Sequence, residues 1–210
     1  MTKLASNVPL AALGISLLGC TVGEGQGAVT SDKLYVRDCW NGAFDLRPDF
    51  FASTPFSDES QLIRVQRGDN LQEMSDGLMV LVNDTPGVRA QLNTSLKVGL
   101  PKGVSPPGQT VEYDPEPALV NLSLYLHDSC HTQNATLHSV EGTITFAHLF
   151  SGDVNEKDGS DRFTEASFSA TFADPRDLVP GQPLDSSVTS LVEGRFEFFF
   201  QRGQPAQPFP

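Results

Sequence analysis

Residues 165–172 read Glu-Ala-Ser-Phe-Ser-Ala-Thr-Phe, with Ala166, Phe168, Ala170 and Phe172 at every second place. Successive side chains of a strand point to opposite faces, so this spacing buries one face and leaves the other wet. A helix would need apolar residues at three- and four-residue steps. The alternation returns in Ala90, Leu92, Thr94, Leu96 and Val98, in Val120, Leu122, Leu124 and Leu126, and in Phe196, Phe198 and Phe200. Burial on one face is the habit of antiparallel sheets. Leu78–Val82 (LMVLV) is apolar throughout and reads as a central strand covered on both faces. Gly-x-apolar-x-apolar occurs three times, at Gly42, Gly142 and Gly194, where a glycine at a strand's start permits a bulge.

Helix signals are sparse. Arg67–Asp76 holds one or two turns, with Asn70 as cap, Glu73 three residues on and Gly77 as the stop. Leu100–Pro117, with five prolines, reads as a long excursion from the sheet. The pattern predicts an all-β domain of about eight to ten strands, an antiparallel β-sandwich, with a closed soluble β-barrel as the alternative. The Phe residues sit mid-strand rather than in girdles at strand ends, which argues against a membrane-spanning barrel.

The N-terminus has a different character. Lys3 is the only charge of the first twenty residues, and an apolar run from Val8 to Leu18 follows it. That is the charged region and short apolar core of an export signal, too short for a membrane span of roughly 20 residues. The run ends in Leu17-Leu18-Gly19-Cys20, which resembles the lipobox of bacterial lipoproteins. The resemblance covers residues 1–20. It implies that Cys20 receives a diacylglycerol, that the chain is cut between Gly19 and Cys20, and that the new amino group is acylated, with palmitate among the acyl chains. Each buried CH₂ contributes about 0.8 kcal/mol, so three chains hold where one alone holds marginally. Thr21, where lipoproteins kept at the inner membrane tend to carry Asp, resembles the default route to the outer membrane. Residues 1–19 are then a signal peptide, and residues 20–32 a lipidated cysteine with a Gly-rich flexible tether spanning about 20 Å. A single domain fills 33–202, and 203–210 is a Pro-rich tail.

The formal charge of −12 disfavours nucleic acid and anionic headgroups as partners, since both repel an acidic chain. Of three cysteines, lipidation takes Cys20, which leaves Cys39 and Cys130 as an even pair in an oxidising compartment, and so a disulfide.

Two polar clusters are candidate sites. His127, Asp128 and His131 surround Cys130, and imidazole with carboxylate suits zinc or copper. A polar turn held by the disulfide explains the same residues. Asp153, Asn155, Asp158 and Asp161 have the composition of a calcium loop. They miss the EF-hand register, however: Lys157 stands at a ligand position and Gly159 comes one residue late. A solvated loop explains them equally. Arg67-Gly68-Asp69 matches an integrin-binding tripeptide but is also an ordinary turn. His148 falls on the apolar face of its strand, and Trp40 sits beside Cys39 to pack on the disulfide. Gly-x-Ser-x-Gly, Ser-x-x-Lys and His-Glu-x-x-His do not occur, and no catalytic residue is assigned.

These readings lead to a lipid-anchored, non-enzymatic envelope protein, a structural or protein-interaction module on the outer membrane. Its membrane contact is the N-terminal lipid, its partner an envelope protein, and it needs no cofactor. The alternative is a module for a small ligand, carbohydrate or calcium, and an envelope hydrolase ranks third.

Overall fold

The computed structural model describes residues 25–57, 59–68, 75–101, 104, 118–130, 135–179 and 182–201. Ten strands account for most of them: β1 (Gly25–Val36), β2 (Trp40–Leu46), β3 (Phe50–Pro55), β4 (Gln61–Gln66), β5 (Asp76–Val82), β6 (Ser95–Gly99), β7 (Val120–Leu126), β8 (Ala135–His148), β9 (Phe163–Ala173) and β10 (Thr189–Phe199). They form one sheet in the order β2-β1-β10-β9-β8-β6-β7-β5-β4-β3. Every pairing is antiparallel except β6 with β7, which run parallel at Val98↔Val120 and Gly99↔Asn121. The protein is thus all-β with little helix, as expected. Its single mixed sheet curls into a half-barrel, between the two-sheet sandwich and the closed barrel.

The curl has a covalent cause. β2 and β3 are opposite edges of the sheet, yet only residues 47–49 join them. Four Cα steps reach at most about 14 Å. Flat, the two edges of ten strands would stand about 43 Å apart at 4.8 Å per strand. The sheet must therefore bend until its edges meet. Phe51 of β3 stacks on Phe198 of β10 with ring centroids 5.8 Å apart. The concave side is a continuous apolar core from Val29 to Phe198 that includes Phe146, Phe168, Phe172 and Phe196. Each such buried ring contributes roughly 2–3 kcal/mol.

β8 serves two neighbours. Its first residues pair with β7 and its later ones with β6, and the register slips between Ser139 and Glu141. Ser139 fills the gap: its Oγ accepts from Leu122 N at 3.1 Å and donates to Gly99 O at 3.0 Å. A second slip between Phe146 and His148 turns His148 outward. It is exposed, 5.3 Å from the Phe163 ring, rather than on the apolar face that strict alternation assigns it.

Other expectations shift as well. Gly25–Asp32, read as tether, lies within β1, so the fold begins eight residues before Lys33. The glycines that suggested flexibility serve close packing instead. A Cβ at Gly25 would stand 2.6 Å from the Phe51 ring, and one at Gly27 2.9 Å from the Arg195 carbonyl. Ala90–Thr94, read as strand, forms a turn after the short helix α1 (Thr85–Arg89). Asp84 caps α1 by accepting from Gly87 N at 2.8 Å, and Pro86 sits in its first turn, where no hydrogen-bond donor is missed. β7 departs from one-face burial: Asn121, Ser123 and Tyr125 are buried beside its apolar residues. Residues 69–74 of the expected helix lie outside the described residues, and Asp76 and Gly77 belong to β5. The segment 105–117 and the tail from 202 lie outside them too.

The three motif glycines are unequal. Gly142 has φ +130°, and a Cβ there would fall 2.4 Å from the Ala170 Cα; at Gly194 it would fall 2.4 Å from the Phe168 ring; at Gly42 nothing stands within 4 Å. Gly142→Ala and Gly194→Ala should each destabilise the fold by about 1–3 kcal/mol. Gly42→Ala should change stability by less than about 0.5 kcal/mol. Urea unfolding midpoints of the three variants, measured side by side, check this.

Candidate functional site

The first candidate cluster lies where β5 and β7 meet the disulfide. Cys39, in the β1–β2 turn, is bonded to Cys130 after β7, with Cα atoms 5.6 Å apart. Trp40 packs against the core beside it and meets Phe44 edge-on at 6.1 Å. The centre of the cluster is Asp76, which sequence reading did not single out. Its side chain is 1% exposed. Oδ1 accepts from Asp128 N and Ser129 N at 3.1 Å each, and Oδ2 from Ser129 Oγ at 2.6 Å and Arg67 Nη2 at 3.2 Å. Four donors satisfy a buried carboxylate, so Asp76 fixes the turn that presents Cys130 to Cys39. The signal was available as Ser75-Asp76-Gly77 before an apolar run, but it reads as a helix end.

The expected metal ligands are engaged elsewhere or lie outside the described residues. Asp128 pairs with Arg67 at 3.5 Å, His127 lies 5.3 Å from the Tyr125 ring, Cys130 is in the disulfide, and His131 lies outside the described residues. The Arg67 guanidinium turns toward Asp76 and Asp128, and Asp69 of the tripeptide also lies outside them. Among the described residues, no three His, Cys, Asp or Glu side chains gather as metal ligands.

The acidic loop between β8 and β9 is built from turns. Asp153 Oδ1 accepts from Asn155 N at 2.8 Å, and Asp158 Oδ1 accepts from Ser160 N at 2.9 Å and Ser160 Oγ at 2.7 Å. The Ser160 hydroxyl and backbone N–H hold the Asp158 carboxyl below its ordinary range. Asp161 reaches away to Arg89 of α1 at 2.7 Å. Asp153 and Asp158 thus face their own backbone and Asp161 faces α1, rather than one centre.

Register creates a third cluster. Ser123 of β7 lies opposite His138 of β8, and Ser123 Oγ and His138 Nδ1 are hydrogen-bonded at 2.8 Å. Asp174 follows Ala173, which pairs with His138. Serine, histidine and aspartate are neighbours here, but the geometry is not that of a nucleophile. Ser123 is 8% exposed, and Asp174 gives both oxygens to the Arg176 guanidinium, at 3.0 and 2.9 Å from Nε. Burial pushes the Asp174 carboxyl up, but the hydrogen bonds from Arg176 and the charges of Arg176 and Arg37 hold it below the ordinary carboxylate value. Burial pushes the His138 imidazole down, and the Asp174 charge offsets this only in part. A neutral imidazole that links two strands is what results.

On the outward face of β1, β10, β9 and β8 runs a trough of about 450 Å³. Small residues, Ala28 and Ser167 among them, line it together with Arg47, Arg195, Glu165 and Glu197. It is open and of mixed charge, without the apolar walls that bury a small ligand.

Tyr125 belongs to the same buried polar layer. Its ring lies across Gly77, where a Cβ would stand 2.4 Å from the phenol oxygen, and its hydroxyl donates to Gln66 Oε1 at 2.7 Å. Burial pushes this phenol well above its ordinary value. Comparison with protein-family models, with curated proteins and with solved structures gave no match.

Asp76→Ala would remove the acceptor of Asp128 N, Ser129 N and Ser129 Oγ, donors that are only part-buried and that water can reach in part. It should cost about 1–3 kcal/mol, mostly from those donors, since half-exposed Arg67 is screened. Guanidinium unfolding with the disulfide intact reads this. His138 titrates lower in the folded chain than in the unfolded one, so the unfolded state binds the extra proton as pH falls below 6.5. Stability should then fall by up to about 1.4 kcal/mol per pH unit until the folded imidazole protonates. His138→Gln should remove that slope, which melting temperatures across pH 7 to 5 would measure.

Proposed function

We propose that the chain is a bacterial envelope lipoprotein, anchored through Cys20 and routed to the outer membrane, whose half-barrel is a non-enzymatic structural or protein-interaction module. The cysteine pairing carries this reading. Cys39 and Cys130 pair with each other, so of the three cysteines only Cys20 is left for the thioether. A bond across 91 residues belongs to an oxidising compartment, where an exported protein matures. The acidic surface fits a partner that is neither nucleic acid nor an anionic bilayer. The side chains richest in chemistry, Asp76, Asp174 and the acidic loop, are taken up by hydrogen bonds that hold turns, which favours a scaffold over an enzyme.

Made in a bacterium that processes lipoproteins, the wild-type chain should lose residues 1–19, gain the mass of a diacylglycerol and an acyl chain, and fractionate with membranes. Cys20→Ser should stay unlipidated. Intact mass of the membrane fraction decides it: an unmodified Cys20 in soluble protein overturns the reading.

A further inference from the structure

Both ends of the described fold leave from one end of the sheet. Gly25 opens β1 and pairs with Phe198, at the close of β10. Only five Cα steps separate Cys20 from Gly25, a reach of at most about 18 Å. The twelve-residue tether that composition suggests does not exist as a free spacer, because most of it is strand. An anchor at Cys20 therefore keeps this end of the sheet close to the bilayer. The opposite end, with Trp40 and the disulfide, lies about 36 Å away along β1, at 3.3 Å per residue.

The near end carries exposed aromatic rings. Phe199 is 47% exposed and sits opposite Phe163 with ring centroids 4.7 Å apart; His148 follows, 5.3 Å from Phe163. On the other half of the curled sheet, Phe56 at the β3–β4 tip is 62% exposed. That tip belongs to the same end: Thr85 N donates to Glu59 O at 2.5 Å, and Gln61 Nε2 to Phe150 O at 3.1 Å, while Phe150 stacks on Phe200 at 4.0 Å. The far end carries exposed aliphatic residues instead, Val179, Leu184 and Leu191, and no exposed aromatic ring of this kind among the described residues. The acidic loop carrying Asp153 and Asp158 flanks the aromatic end, so anionic lipid would not draw it in. Ring contact with uncharged headgroups, aided by the anchor's proximity, would seat it.

From this geometry we infer that the Phe199–Phe163–His148 end of the half-barrel rests on the bilayer to which Cys20 is anchored, and that the Trp40–disulfide end points away from it. The inference rests on the lipid anchor proposed above. It fixes which surface is left for a partner: the membrane-distal disulfide end.

Trp40 is the chain's only tryptophan and a built-in reporter of the far end. The full lipidated chain is reconstituted into phosphatidylcholine vesicles brominated at mid-chain. Wild type reports position 40, and Phe199→Trp in a Trp40→Phe background reports position 199. Emission at 199 should fall about twofold, as for a ring seated 5–10 Å into the interface, and emission at 40 should not change. An unquenched 199 in vesicle-bound protein, or equal quenching at both ends, overturns the orientation while leaving the anchor standing. Should wild type carry no lipid, the anchor reading falls. The Cys20 thiol, the only one left with the disulfide formed, is then coupled to a maleimide phospholipid in the same vesicles, and the two reporters still decide the orientation. If tryptophan at 199 disturbs the strand, Phe163→Trp reads the same ring cluster.

Discussion

Three residues between opposite edges of a ten-stranded sheet govern this molecule. The link from Leu46 to Phe50 cannot cross the width of a flat sheet, so the sheet must be rolled up for β2 and β3 both to stand at its edges. Rolling brings β1 and β10 against β3, and there the glycines matter. Pro48 passes over Gly27, and Phe51 lies on Gly25. A side chain at either position would push the two edges apart and open the core. The open seam carries no ladder of hydrogen bonds. Phe51 on Phe198, the short connector and the Cys39–Cys130 bond hold its two sides together. Closing a loop of 91 residues is worth about 4–5 kcal/mol in the chain-entropy model, comparable to a large share of a domain's net stability.

The curl also explains the buried polar residues. A half-barrel of this length needs β8 to leave β7 and take up β6, which interrupts the ladder. Ser139 completes the interrupted bonds, and Asn121 bridges outward to Asn83 and to the Gly99 and Leu100 carbonyls. Tyr125 reaches over Gly77 to Gln66, joining three strands on the face away from the core. Buried polar groups without partners would cost several kcal/mol each, so such networks are favourable only when complete. Here they hold the sheet's bend in place.

The alternation of Ala166 to Phe172, and of Phe196 and Phe198, was legible because a period of two assigns faces directly. The all-β class and the disulfide followed from such local counts. Legibility failed where a residue's role depends on what lies across the sheet. Gly25 and Gly27 read as flexible because composition cannot separate a glycine that is free to move from one pressed by a neighbouring ring. His148 was assigned to the wrong face because a single bulge inverts the parity of everything after it. Ala90–Thr94 kept an alternating pattern while forming a turn, because Asp84 and Pro86 start a helix just before it.

Candidate sites were harder still to read, for a reason that hydrogen-bond accounting makes plain. A run such as Asp153–Asp161 advertises oxygens, but oxygens two residues from a backbone N–H are captured by it before they can converge on anything else. Asp128 and Cys130 are two residues apart in sequence, yet one pairs with Arg67 and the other with Cys39. Conversely, Ser123 and His138 are fifteen residues apart and touch only because β7 and β8 pair in one register. Shifting that register by one residue would put His138 in the core and Leu137 on the polar face. The pair is therefore a product of the same constraint that seats Leu122, Leu124 and Leu137 inside, and it belongs to the architecture before it belongs to any chemistry.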